Sequence, residues 1–269
     1  MAQTINTKLL SITAQKHLER TQAEKTNSAE RLSSGLRVNS AKDDAAGLAI
    51  AERMNSLVRG MNVAMRNAYD GVSMSQAAED GLTQVADTLQ RMRELAVQSA
   101  NGANSEADRE SLNAEFSALN SEISLIASTT TFNGESVLNS EDRSIGFQVG
   151  STVDTGNTVS MDLVSIEPLS ANISSPEASQ TAIAQIDAMI AEIASSRASF
   201  AATQSQLEST ITNLQVEFEN QSAAHGRIVD ADYAQETADY AHTQILQQAG
   251  TAMSVQANAS TQRVINLLG

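Results

Sequence analysis

Cysteine and tryptophan are absent from this chain of 269 residues, and aromatic residues make up only 3% of it. Without cysteine there is no disulfide framework and no thiolate metal site, so nothing marks a redox compartment. A compact globule of this length would normally bury several large rings. The apolar residues here are instead Ala, Leu, Ile, Val and Met, a set suited to close helix packing through small side chains. Proline occurs only at Pro168 and Pro176, so helices before that point can run long. No stretch approaches the roughly 20 apolar residues of a membrane span. The opening segment MAQTINTKLLSITAQKHLER lacks the apolar core and small-residue cleavage site of a secretory signal. An exported chain would then use a route that needs no cleaved signal.

Positive charge is also scarce, and it is unevenly placed. The net charge is −15. Residues 1–66 carry +4, residues 67–176 carry −12, 177–216 carry −3 and 217–269 carry −4. The two ends are opposite in sign, which favours their pairing. The acidic middle suits a solvated outer surface and argues against nucleic acid as a partner.

What is present is helical periodicity. Asp43 and Asp44 stand where an N-cap and a first-turn acid are wanted. From there Leu57, Met61, Ala64, Ala68, Val72, Ser75, Ala78, Leu82, Val85, Leu89, Met92 and Ala96 recur at steps of three and four. Asn101-Gly102 ends the run, and Ser105-Glu106-Ala107-Asp108 restarts a helix as a capping box. Between residues 130 and 165 lie Thr runs, Asn133-Gly134 and short alternating pieces around Phe147 and Met161, the signature of a small β-hairpin region. Ser175-Pro176-Glu177 opens a second long seam that runs from Ile183 through Ile186, Ile193, Phe200, Leu207 and Leu214 to Phe218, with Arg197 and Gln204 as polar intruders. Gly226 and Asp230 are expected to break it and begin a last helix. The fold class is therefore mainly α, a long antiparallel helical bundle or coiled coil with a small β-hairpin region.

The end segments are weak by comparison. Residues 1–43 and 230–269 should form terminal helices around a helical core at 44–229. Ile5, Leu9 and Ile12 mark a seam on one; Ile245, Ala249, Ala252, Val264, Leu267 and Leu268 mark the other. Such pieces bury too little alone to offset ordering entropy, so they are expected to be disordered in the monomer and to fold on assembly. Catalytic chemistry is not apparent. His17, His225 and His242 form no metal-ligand pattern, and HExxH, GxGxxG, P-loop and GxSxG sequences are missing. No cofactor, metal or enzymatic activity is expected.

Several long motifs share one resemblance. Arg31 to Met54 reads RLSSGLRVNSAKDDAAGLAIAERM, followed by LQRMRELAVQSANG at 89–102, TTFNGESVLN at 130–139 and FQVG at 147–150. Near the other end stand RIVDADYAQETADY at 227–240 and QILQQAGTAMSVQAN at 244–258. In this order they resemble the signatures of bacterial flagellins over nearly the whole chain. Met92, and the polar Thr251, Ser254 and Ser260, depart from residues commoner there.

The resemblance implies a structural subunit of the extracellular flagellar filament, used for motility and exported by a type III route. Its terminal helices would pair to line the inner tube. Its partners would be further copies of itself, an export chaperone, and junction and cap proteins, with no nucleic acid and no membrane. About 45 residues separate the helical halves, leaving no room for the variable outer domains of larger flagellins. The resemblance also implies a contact with Toll-like receptor 5 through Gln90, Arg91, Glu94 and Leu95, with Glu115 from the next helix. A hook–filament junction protein shares the terminal helices and is the alternative. A flagellin-scaffold enzyme would need an inserted domain.

Overall fold

Long helices dominate because little in the sequence stops them. The computed structural model describes residues 9–139 and 143–268; the side chains of Thr155 and of residues 260–268 lie outside that description. Among the described residues five α-helices run in chain order: α1 (Leu9–Ser34), α2 (Ala45–Ser99), α3 (Glu106–Thr129), α4 (Pro176–Val229) and α5 (Tyr233–Leu268). Four short strands lie between α3 and α4, paired as two antiparallel ladders: β1 (Thr131–Phe132) with β2 (Glu135–Ser136), and β3 (Ser144–Gln148) with β4 (Thr158–Asp162).

Helix ends fall where the capping chemistry places them, with two corrections. Asp44, rather than Asp43, caps α2, since its carboxylate accepts from the Gly47 amide at 2.8 Å. Asp43 instead gathers the Ser40 amide and hydroxyl and the Asn39 amide, and those bonds, Ser40 first, hold its carboxyl below the usual range. Gly226 lies inside α4 and does not break it; Asp232 starts α5 by accepting from Ala234 and Gln235. The capping box at Ser105 and Asp108 forms in full. The α2 end carries a feature its spacing does not announce: Arg109 donates to the carbonyls of Ser99, Asn104 and Asn101, satisfying groups that a helix end leaves open.

The chain divides into two units, one of residues 1–56 with 220–269 and one of residues 57–219. The first holds ten cationic and ten acidic residues; the second holds seven and twenty-two, and therefore the whole net charge.

In the second unit the core follows the seam read from the sequence. Ala78, Leu82, Val85, Leu89, Met92 and Ala96 of α2 pack with Phe116 and Ile123 of α3 and with Ile186, Ile193 and Phe200 of α4. Two smaller clusters continue the packing, around Ala68 with Leu207 and around Met61 with Leu214. With few rings available, density comes from closeness. A Cβ on Gly81 would stand 2.7 Å from Leu138 Cδ1 and 2.8 Å from Thr130 Oγ1; one on Gly71 would stand 2.9 Å from Leu207 Cδ1. Asn133 and Gly134, with φ of 51° and 83°, supply the two-residue turn that reverses β1 into β2. The extended segment after β4 lies along α3, where the Asn120 and Asn113 side chains accept the Leu169 and Ile173 amides, both at 2.9 Å. The two Asn Oδ1 atoms stand in for the carbonyls that a neighbouring strand would have offered.

Two stability measurements check this account. Gly81→Ala should overpack the α2 contact with Thr130 and Leu138 and cost about 1–3 kcal/mol in denaturant unfolding, whereas Gly102→Ala, with open space around it, should cost far less. Ser105→Ala should lower the thermal midpoint by about 2–4 °C at neutral pH. The Ser105 hydroxyl, then its amide, depresses the Asp108 pKa, so this contribution is present above the ordinary aspartate range and is lost as pH falls through the folded value. The wild-type advantage over Ser105→Ala should therefore shrink in acid.

Candidate assembly surface

Helices α1 and α5 pair antiparallel in the first unit, and the fully buried residues between them are polar. The most enclosed side chains are Ser11 and Ser28 on α1 and Glu236 and Thr243 on α5. Ser11 Oγ donates to Asn258 Oδ1 at 2.9 Å, Lys25 Nζ to Gln247 Oε1 at 2.9 Å, and Arg31 Nη1 to Glu236 Oε1 at 2.9 Å. Gln247 also donates to Gln22, and Lys25 sits 5.5 Å from the centre of the Tyr240 ring. Beyond Arg31 the chain leaves α1 through Gly35, whose φ of +73° suits a helix end that only glycine adopts without strain. The loop then binds the break between α4 and α5: Arg37 and Ala231 amides donate to the Val229 and Gly35 carbonyls, respectively.

The seam expected from Leu9 and Ile12 is thus corrected. They are 67% and 55% exposed, and on α5 Ile245 is 65% exposed. Leu10, Leu246, Met253 and Val255 are exposed as well, as are Ala249 and Ala252. The reason is steric and electrostatic. Small and hydrogen-bonding residues let two helices meet in pairs of matched polar groups, and the larger apolar side chains then fall on the outer faces. Ile5 lies outside the described residues, and Val264, Leu267 and Leu268 lie on α5 with side chains outside the description.

The second patch is on α2 and α3. Arg91 is half exposed and donates to Glu115 at 2.8 Å and to Glu94 at 2.9 Å. Those bonds, Glu115 first, raise its pKa further above neutrality, so the guanidinium stays charged. Gln90, Arg91, Glu94 and Glu115 all reach the surface. Leu95 does not: it is 1% exposed and belongs to the core with Phe116. Leu95, expected beside Gln90, Arg91 and Glu94 in the receptor contact, is not part of the exposed patch, because position 95 follows the buried Met92 by three residues on the same face. The exposed apolar neighbour on this helix is Val97, 50% accessible.

No catalytic constellation accompanies these surfaces. A recess of about 300 Å³ is lined by Glu24, Asn27, Arg31, Asp239 and His242 among others; His17 is not one of its lining residues. Among the described residues no group of His, Asp and Glu could hold a metal ion, and no helix is long and apolar enough to cross a membrane.

Comparison with known proteins places this arrangement. Residues 5–142 match the bacterial flagellin N-terminal helical region and residues 183–268 the bacterial flagellin C-terminal helical region. The chain is 40% identical to the flagellar filament 33 kDa core protein of Treponema phagedenis over 98% of this chain and 99% of that one. It is 44% identical to a flagellin of Halalkalibacterium halodurans over 89% and 90% of the two chains. A crystal structure of Bacillus cereus flagellin superposes with a TM-score of 0.51 at 30% identity, covering 60% of this chain and 94% of that one. These filament names favour a filament subunit over a junction protein. With both signature regions matched in order and full-length relatives at this identity, the chain belongs to the bacterial flagellins, a structural family, and is a subunit of the flagellar filament.

Proposed function

We propose that this subunit polymerises through α1 and α5, and that these helices become fully ordered only when neighbouring copies cover them. The observation that carries the reading is the inverted character of the pair: polar residues face inward while Leu9, Ile12, Ile245, Met253 and Val255 face out. A soluble monomer gains nothing by exposing large apolar side chains along two helices; a polymer buries them. The near-neutral first unit suits close approach of copies, and the acidic second unit suits a solvated surface. Export without a cleaved signal, delivery by a chaperone, and contact with junction and cap proteins at the filament ends complete the extracellular role that family membership implies.

Removing residues 1–40 or 232–269 should leave a soluble, folded remainder that does not polymerise in sedimentation or electron microscopy. In the free full-length chain, hydrogen exchange should be fast at both ends and slow near residues 57–219. Normal filaments from either truncation, or protected ends in the monomer, would contradict the reading.

The Arg91 patch is proposed as the face that a host Toll-like receptor 5 grips. Arg91 is held open to solvent by Glu94 and Glu115, and a guanidinium fixed in this way is the kind of group that anchors an interface. Arg91→Ala should lower receptor signalling by the free subunit about tenfold or more. Because the ion pairs are exposed, the thermal midpoint should move little. A folded Arg91→Ala chain with an unchanged dose–response leaves this helix a packing role only.

A further inference from the structure

We propose that the Arg31–Glu236 pair sets the axial register of α1 against α5 and so decides whether the exposed apolar side chains of the two helices are matched for assembly. The inference rests on assembly through these helices.

The case begins with what else holds the pair together. Ser11 with Asn258, Gln22 with Gln247, and Lys25 with Gln247 and Tyr240 are contacts in which at least one partner is neutral. Hydroxyls and carboxamides both donate and accept, so after a slip of one turn, about 5.4 Å, they can find new partners. The pairing of Arg31 with Glu236 is different. It is the ion pair between α1 and α5 among the described residues, at 2.9 Å, with the Glu236 side chain only 10% exposed. A carboxylate accepts and a guanidinium donates, so each tolerates few substitutes.

No cation stands within one turn of Arg31, where the chain has Asn27, Ser28, Ser34 and Gly35. Within one turn of Glu236 stand Asp232, Tyr233, Asp239 and Tyr240, and the exposed Asp239 accepts from Gln235. Asp232 is already committed to the first amides of α5. A slip in either direction would therefore strand an enclosed carboxylate without its cation, a costly state in which the rest of the seam offers no compensation. The pair also lies close in sequence to the isolated bridge of Leu36 with Asp230, which ties the loop after α1 to the break before α5, so it acts at the tied end of the two helices. Any slip there is transmitted unchanged along α1 to Leu9 and Ile12 and along α5 to Met253 and Val255.

Because the chain has no cysteine, introduced pairs report register without background. Ser11→Cys with Asn258→Cys tests the register seen here, and Ser11→Cys with Ser254→Cys tests one turn of slip. Intramolecular cross-linking is read by gel mobility in both polymerised and unpolymerised chains, in the parent, in Arg31→Glu, in Glu236→Arg and in the double exchange, with circular dichroism as a folding control. Each single variant should lose the 11–258 cross-link by about tenfold or more and lose filaments with it, and the double exchange should restore both. An undiminished 11–258 cross-link in the single variants, or a double exchange as impaired as its parents, overturns the proposal. Restored cross-linking without filaments upholds the register assignment and overturns assembly through these helices.

Discussion

Close approach of helix backbones is the constraint on which this fold depends. A chain with five Phe, three Tyr and no Trp cannot fill wide gaps between helices, so it narrows them. Ala68, Gly71, Ser75, Ala78 and Gly81 recur on one face of α2, and Leu207, Phe147, Met161 and Leu138 occupy the space those small residues vacate. Dispersion then acts over short distances along an extended contact instead of around one central cluster. The strands and the segment after β4 are secondary to this arrangement. They cover the sides of the helical contact, and side-chain amides of Asn113 and Asn120 take up the backbone groups that no full sheet is there to satisfy.

The terminal pair follows the opposite rule. Where the second unit puts apolar residues inside, α1 and α5 put hydrogen bonds and an ion pair inside and leave apolar residues outside. Both patterns obey the same physics applied to different final states. One set of helices is complete within a single chain; the other, on the proposed mode of assembly, is completed in the polymer. Amphipathicity measured on one subunit therefore points toward the neighbour, not toward the core.

Much of this was legible from periodicity. The α2 seam appeared at steps of three and four because a long uninterrupted helix repeats its environment, and the Asn133-Gly134 turn and the Ser105 capping box each carry strong local signatures. What misled was orientation. Leu9 and Ile12 have helical spacing, but spacing identifies a face and does not say what covers it. Leu95 looked available beside Arg91 because motifs are read along the chain, whereas the three-residue step from Met92 carries it into the core. Arg109, which caps α2 from the following helix, has no local signature at all; the carbonyls it serves are five to ten residues back along the chain. The polar seam was invisible for a similar reason, since its pairs join residues more than two hundred positions apart.

The division of charge gives the polymer an electrical character. If the first unit is nearly neutral and the second carries an excess of fifteen acids, stacking subunits multiplies one sign only. The product is a polyelectrolyte whose counterion atmosphere is part of its working structure. Mobile cations would gather around it, with a thickness set by the Debye length, about 8 Å at physiological ionic strength. Two such fibres brought side by side would first compress these ionic clouds, and the resulting osmotic repulsion would keep them apart without any dedicated spacer.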